Sequence, residues 1–317
     1  MKKTVGFIGK RLLQSLIVIF LVTMMIFFLV QLIPGDPVTN FLGNNASKEQ
    51  IDYYTHLYGY DKPVITQYII WLGNLLKGDM GFSISFQKNI QNVVFERLGT
   101  TMNIAIPSLI IATALGITLG VIAALKRGTL VDTVISFVAN IGISMPLFWI
   151  SIILIMVFAI RLRVLPSMGY VPIQEGVASW LRYLILPITV SIFSPLSVIT
   201  RQTRAALLEV IRQDYVTTAR SKGLKPFRVI VAHQLRNALV PLITILGTQF
   251  GYLVGGTVII ESVFVIPGLG SLMIGAINSR DHMLVVGCVM VITAFVTLIQ
   301  LVVDIMYGII DPRMRNS

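Results

Sequence analysis

Residues 12 to 33 run for 22 positions without an Asp, Glu, Lys, Arg or His. At about 1.5 Å per helical residue, such a run crosses a hydrocarbon layer of roughly 30 Å. In lipid every backbone N–H and C=O needs an internal partner, so this segment folds as a helix. Comparable runs follow at 100–125, 133–160, 183–200, 238–260 and 283–307, which predicts an all-α membrane protein with six transmembrane helices. Composition agrees. Of 317 residues, 55% are hydrophobic and 12% charged, against roughly a quarter charged in soluble domains.

Lys2, Lys3, Lys10 and Arg11 precede the first run, a pattern shared with secretion signals. The run is longer than a signal core of roughly 7–15 residues. Pro34-Gly35-Asp36-Pro37 follows it, a turn rather than a cleavage site, so the run reads as a retained span. Residues 34–98 are more polar and carry two short helical patterns. Ser47-Lys48-Glu49-Gln50 reads as a capping box, with Gly59 as the stop. Pro63 opens a second stripe of Ile65, Tyr68, Ile69, Leu72, Leu75 and Leu76 before Gly78, and its Tyr68 and Trp71 suit a membrane interface. In the third span Pro146 is the expected bend, and the fourth is short and interrupted by Pro187 and Pro195. Gly247, Gly251 and Gly255 recur every four residues, which predicts a face for close helix packing in lipid.

With the N-terminus inside, sixteen Lys and Arg lie on inner segments and four on the short outer loops. This bias predicts both termini in the cytoplasm and residues 34–98 outside as a scaffold loop. The expected division is 1–33, the N-terminus with the first span; 34–98, the extracytoplasmic loop; 99–311, a five-helix core that includes a cytoplasmic loop at 201–236; and 312–317, a cytoplasmic tail. The net charge of +11 sits at the ends of apolar runs, which excludes a nucleic-acid partner and fits a lipid bilayer. A single cysteine, Cys288, excludes an internal disulfide.

Within the spans as drawn, Asp304 is the only Asp, Glu, Lys, Arg or His, and its place near the inner end predicts a pairing with a nearby arginine. Carriers driven by ion gradients usually rely on intramembrane carboxylates, so the chain reads as lacking that engine. It also lacks GxxxxGK[ST], HExxH and GxSxG, and His56, His233 and His282 fall in separate segments. No catalytic residue, metal ligand or cofactor site is predicted.

The 201–236 loop is the informative one. Asp214 suits an N-cap, Tyr215 to Lys222 is helix-compatible, Gly223 fits the residue after the helix, and Pro226 opens the next. Two helical turns are unstable alone in water, so this helix needs something to dock on. Here the segment Asp214-Tyr215-Val216-Thr217-Thr218-Ala219-Arg220-Ser221-Lys222-Gly223-Leu224, followed by Leu235-Arg236-Asn237-Ala238-Leu239, resembles the cytoplasmic motif of permease subunits of binding-protein-dependent ABC importers. The general motif reads Glu-Ala-Ala, three residues, Gly, nine residues, then Ile-x-Leu-Pro. Ala219, Gly223 and Leu235 match it; Thr217, Thr218, His233 and Arg236 depart in the manner of the dipeptide, oligopeptide and nickel branch. Pro34–Pro37, Gly78-Asp79-Met80-Gly81-Phe82-Ser83, Ser144-Met145-Pro146-Leu147-Phe148-Trp149, Glu261–Gly270, Arg280-Asp281 and Asp311-Pro312-Arg313 extend the resemblance along the chain.

The resemblance implies a second homologous permease, two cytoplasmic ATPases carrying Mg-ATP, and an extracytoplasmic solute-binding protein. It implies that Asp214, Tyr215, Thr217, Thr218, Ala219, Arg220, Lys222, Gly223 and Leu224 form a coupling helix against an ATPase. The expected cargo is a di- or oligopeptide. A nickel or metal-chelate importer is the alternative within the family, and a self-contained channel or gradient-driven carrier the alternative outside it. A peptide path needs hydroxyl, amide and backbone groups, for which Thr101, Asn103, Thr113, Asn140, Ser144, Thr244, Thr248 and Gln249 are the candidates.

Overall fold

The computed structural model describes residues 2–43, 46–225 and 228–310. The expected helix start at Pro226, the Asp311-Pro312-Arg313 motif and the 312–317 tail lie outside the described residues. The chain divides into two compact units, one of residues 12–102 and 267–298, the other of 1–11, 103–266 and 299–317.

The first unit draws on α1 (Lys2–Val30), whose apolar run leads into the turn at Pro34. Asp36 then caps α2 (Pro37–Leu42), its carboxylate accepting from the N–H groups of Val38 and Thr39. The capping box read from the sequence opens α3 (Lys48–Tyr58): Ser47 and Gln50 exchange side-chain bonds, and Gly59 ends the helix at φ 74°. In α4 (Val64–Leu75) the residues Gln67, Tyr68 and Trp71 face inward while Ile65, Ile69 and Ile70 stay exposed. Strands β1 (Phe82–Ser83) and β2 (Lys88–Asn89) form a short antiparallel hairpin that leads into α5 (Ile90–Leu125). The helices of the second unit intervene before α11 (Leu269–Asn278) and α12 (His282–Ile310). Phe27, Tyr68, Trp71, Ile90, Leu284 and Cys288 share one core, with the Phe27 and Tyr68 rings edge-on at 5.2 Å.

Asp281 ties this unit together. It accepts from Ser83 Oγ at 2.7 Å, Ser85 Oγ at 2.7 Å, Ser85 N at 3.0 Å and Leu284 N at 3.2 Å. Asn40 Nδ2 donates to Ser279 O at 2.7 Å, and Gly35 sits so close to the Arg280 guanidinium that a Cβ there would overlap it. Three motifs far apart in sequence, at 34–37, 78–83 and 280–281, therefore meet at one polar junction whose centre, Ser83 with Asp281, is buried.

The second unit holds the remaining helices. The expected third span is a broken pair: α6 (Leu130–Ser144) and α7 (Leu147–Leu154), the latter continued by a π-helical stretch to Arg161. Pro146 disfavours helical backbone at the residue before it, and Met145 is extended with ψ 128°. The two arms meet at 106°, so among the described residues five helices are long and apolar enough to cross a membrane, and the pair makes a sixth if it counts as one span. The expected fourth span is corrected. Instead of a short, interrupted element, α8 (Val177–Ile211) runs unbroken for 35 residues with Pro187 and Pro195 inside it. Each proline removes a single helical hydrogen bond, and packing on neighbouring helices holds the rest. Against α8 lie Gly116 and Gly120 of α5, where an added Cβ would come within 2.8 Å of Ile199 and 2.5 Å of Thr203. This is the small-residue contact that lets two helices approach in lipid.

A second correction concerns charge. The helices outrun the apolar windows: α5 starts at Ile90 and carries Glu96 and Arg97 ahead of its apolar run, and α8 carries Arg182, Arg201, Arg204 and Glu209. α6 contains buried Asp132, and Glu261 is fully buried in the last turn of α10 (Val240–Phe264). A hydropathy window stops where charge begins, but a helix of about 35 residues is longer than the hydrocarbon is thick and continues past it. Asp304 meets Arg11 at 3.1 Å, the expected pairing.

Candidate functional site

Helix α10 has two unlike faces. Phe250, Leu253, Val254, Thr257, Ile260, Glu261 and Phe264 are buried, while Thr244, Thr248, Tyr252, Gly255, Ile259 and Ser262 are exposed. Steps of three and four residues put the exposed set on one stripe. Tyr252 is 71% exposed in the middle of the helix. Lipid offers such a hydroxyl nothing to bond, so the stripe is suited to water, a polar solute or another protein surface.

The α6–α7 break opens two cavities, the first of them against the stripe at Tyr252. One, of about 320 Å³, is lined by Met145, Pro146, Ser191, Ser194, Gln249 and Tyr252, among others. The other, of about 520 Å³, is lined by Phe137, Asn140, Ser144, Met145, Pro146 and Trp149, with Ile141 between them. Of the polar candidates from the sequence, Asn140, Ser144, Thr244, Thr248 and Gln249 therefore meet the stripe or its cavities. Thr101 and Asn103 are engaged elsewhere, Thr101 Oγ1 accepting from Leu269 N at 2.9 Å and Asn103 donating to Tyr170 Oη at 3.0 Å. Thr113 bonds back to Leu109 O. Tyr252 was absent from that set; its spacing of four from Thr248 and eight from Thr244 was the available signal.

The glycine row crosses from one face to the other. Gly247 is buried against Gln300, Gly251 is half-buried, and Gly255 is exposed with nothing within 4 Å of an added Cβ. Steps of four on a 3.6-residue turn drift around the helix, which is why the row leaves the intrachain contact.

The second candidate is α9 (Asp214–Ser221). Asp214 is its first helical residue, one place later than the expected cap, and the Gln213 carbonyl accepts from Val216 N and Thr217 N. Val216 and Ala219 are buried with Val229, and Leu224 packs against them. The helix thus docks on its own bundle through one face. Asp214, Tyr215, Thr217, Thr218, Ser221 and Lys222 are exposed, Tyr215 accepting from Asn237 Nδ2 at 2.9 Å. Arg220 lies within the helix, and Gly223 follows it at φ 74°.

Residues 116–316 match the inner membrane component of binding-protein-dependent transport systems, and residues 4–105 match the N-terminal membrane component of such systems. The chain belongs to this family. It is a multi-pass permease subunit and not itself the ATPase. The di/tripeptide transport system permease protein DppB of Pseudomonas aeruginosa (strain UCBPP-PA14) is 39% identical over 333 residues, covering 98% of this chain and 99% of its own. A Brucella abortus (strain 2308) relative is 38% identical over 306 residues, covering 96% and 98%. Among solved structures, the inward-facing MetNI methionine ABC transporter matches 70% of this permease and 97% of its own chain at 19% identity, with a TM-score of 0.55. That likeness concerns the fold.

Proposed function

We propose that this permease forms, with a second homologous permease, the membrane path of an ATP-driven importer of short peptides. The observation that carries the proposal is the exposed hydroxyl and aromatic stripe of α10 beside the cavities at the Met145–Pro146 break. A peptide in transit needs replacement partners for its amides, and Thr244, Thr248, Tyr252, Ser144 and Asn140 provide them. A metal ion would call for imidazole, thiolate or carboxylate groups, which the stripe does not offer. The 39% identity to a di/tripeptide permease supports the same cargo.

The rest of the assembly follows from that role. A solute-binding protein delivers the peptide at the outer face, where residues 34–98 form the scaffold, and residues 99–311 form the core. Both termini and the 201–236 loop are cytoplasmic. Two ATPases bind Mg-ATP there, and one receives the exposed face of α9, with Asp214, Thr217, Thr218 and Lys222 at the contact. Gly251 and Gly255 face the second permease. Closure of the ATPases moves α9 and switches the path between its inward and outward forms.

Single cysteines in a Cys288→Ser background test orientation and path together. With a membrane-impermeant thiol reagent, Ser47→Cys reacts in intact cells and Ser221→Cys reacts only after the membrane is opened. Within the assembled complex Tyr252→Cys reacts with a small water-borne reagent, while Ile110→Cys, on an exposed apolar surface, does not. Reversal of the first pair inverts the orientation; an unreactive Tyr252→Cys removes the path from this face.

A further inference from the structure

A cleft of about 280 Å³ opens within the unit of residues 12–102 and 267–298, between α3, α4 and the β1 strand. Its wall is aromatic. Tyr58 stacks on Phe82 with centroids 6.0 Å apart and planes 10° from parallel. Trp71 is held in place by its Nε1 donating to Met80 O at 3.2 Å. Tyr60 also lines the cleft, and burial raises its phenol above the ordinary range, so it is neutral and able to donate.

Gln67 is the decisive side chain. It lines the cleft at 8% exposure, and its Nε2 donates to Lys62 O at 2.8 Å and Tyr60 O at 3.4 Å. Those bonds fix which way the amide points. Its Oε1 is buried and has no hydrogen-bond partner. A buried acceptor without a donor is unfavourable, and a ligand N–H that displaces the cleft wall slightly to reach it supplies a bond that the fold omits. Lys62 stands at the same cleft, exposed, and no carboxylate of the described residues lies within ion-pair distance of it. The neighbouring His56 is already paired with Asp61 at 2.9 Å.

An aromatic wall, an oriented acceptor and a free ammonium together describe a complement to a peptide end. We propose that this cleft is a second peptide site, separate from the membrane path. A backbone N–H of the peptide donates to Gln67 Oε1, a large apolar side chain lies against Tyr58, Phe82 and Trp71, and the C-terminal carboxylate meets Lys62. The volume sits near the lower end of small-ligand pockets, about 300 Å³, and limits the bound part to one or two residues. The choice of a peptide rests on the importer reading above, whereas the site rests on the cleft and Gln67. On the proposed orientation the cleft faces outward, where peptide arrives.

The test is equilibrium dialysis of labelled Ala-Phe against the full chain in lipid nanodiscs. Saturable binding is expected. Lys62→Ala and C-terminal amidation of the peptide each weaken it about tenfold, and the two combined weaken it no further, because they remove the same charge-assisted bond. Ile70→Trp, at a cleft-lining position exposed to 42%, fills the space and abolishes binding. Binding indifferent to both substitutions, or no saturable binding, overturns the proposal. If the assembled complex takes up peptide while the cleft binds none, only the cleft proposal falls. If neither uptake nor binding is observed, both readings fall.

Discussion

Arg204→Met lowers the stability of the folded permease by about 3 kcal/mol, and adding Asp132→Leu recovers most of the loss. The geometry sets this expectation. Arg204 grips Asp132 with two bonds, Nε to Oδ1 at 2.6 Å and NH2 to Oδ2 at 2.8 Å. Gly128 N at 3.1 Å and Ser136 Oγ at 3.4 Å complete the carboxylate's partners. Asp132 is 5% exposed, so removing the guanidinium leaves a buried charge with two weaker donors. Breaking one side of such a pair costs about 3–5 kcal/mol. The lower end applies because the Arg204 side chain is 30% exposed and water reaches it. Replacing both groups with apolar ones removes the stranded charge, which is why the double variant recovers. Thermal unfolding in detergent, followed by tryptophan fluorescence, reads the effect. An Arg204→Met variant that unfolds at the wild-type temperature contradicts it.

Gly223→Val leaves the bundle folded yet reduces peptide-stimulated ATP hydrolysis in the assembled complex by about tenfold. Gly223 sits at φ 74°, in the left-handed region, and an added Cβ would meet nothing within 4 Å. The penalty is therefore conformational rather than a clash, and for a β-branched residue it amounts to about 1–3 kcal/mol. The unfavourable energy is released locally: the end of α9 rearranges while the bundle stays intact. Leu224, which packs with Val216 and Ala219, moves with it, and the exposed row of Thr217, Thr218 and Lys222 is misaligned. Gly223→Asn is the control, since asparagine tolerates this backbone. It retains coupling. Normal hydrolysis and transport in Gly223→Val show that α9 does not carry the signal.

How far the sequence reached depended on the kind of signal. The capping box at Ser47 and the stop at Gly59 were legible because capping is local chemistry. The break at Pro146 was legible as a bend, since proline constrains the residue before it, but its size of 106° depends on what the two arms pack against. Pro187 and Pro195 misled in the opposite direction, because tertiary packing outweighs two missing hydrogen bonds in a helix of 35 residues. Asp132 and Glu261 lay one residue outside spans drawn from hydropathy, and only long-range contact reveals that Asp132 has a partner 72 positions away. The site was half legible for the same reason. Gly247, Gly251 and Gly255 stood out as a repeat, whereas the exposed stripe that includes Tyr252 becomes evident once the buried face of α10 is known.

A permease that moves peptides with energy from partner ATPases makes no use of an ion gradient and carries nothing alone. The most direct test is uptake into proteoliposomes that hold the chain, its partner permease, both ATPases and the solute-binding protein. Labelled di- and tetrapeptides are measured beside nickel, with and without a chelator. Peptide accumulation requires ATP and the binding protein and is lost when either is withheld. Nickel uptake without peptide uptake, or uptake by the chain alone driven by an ion gradient, contradicts this role.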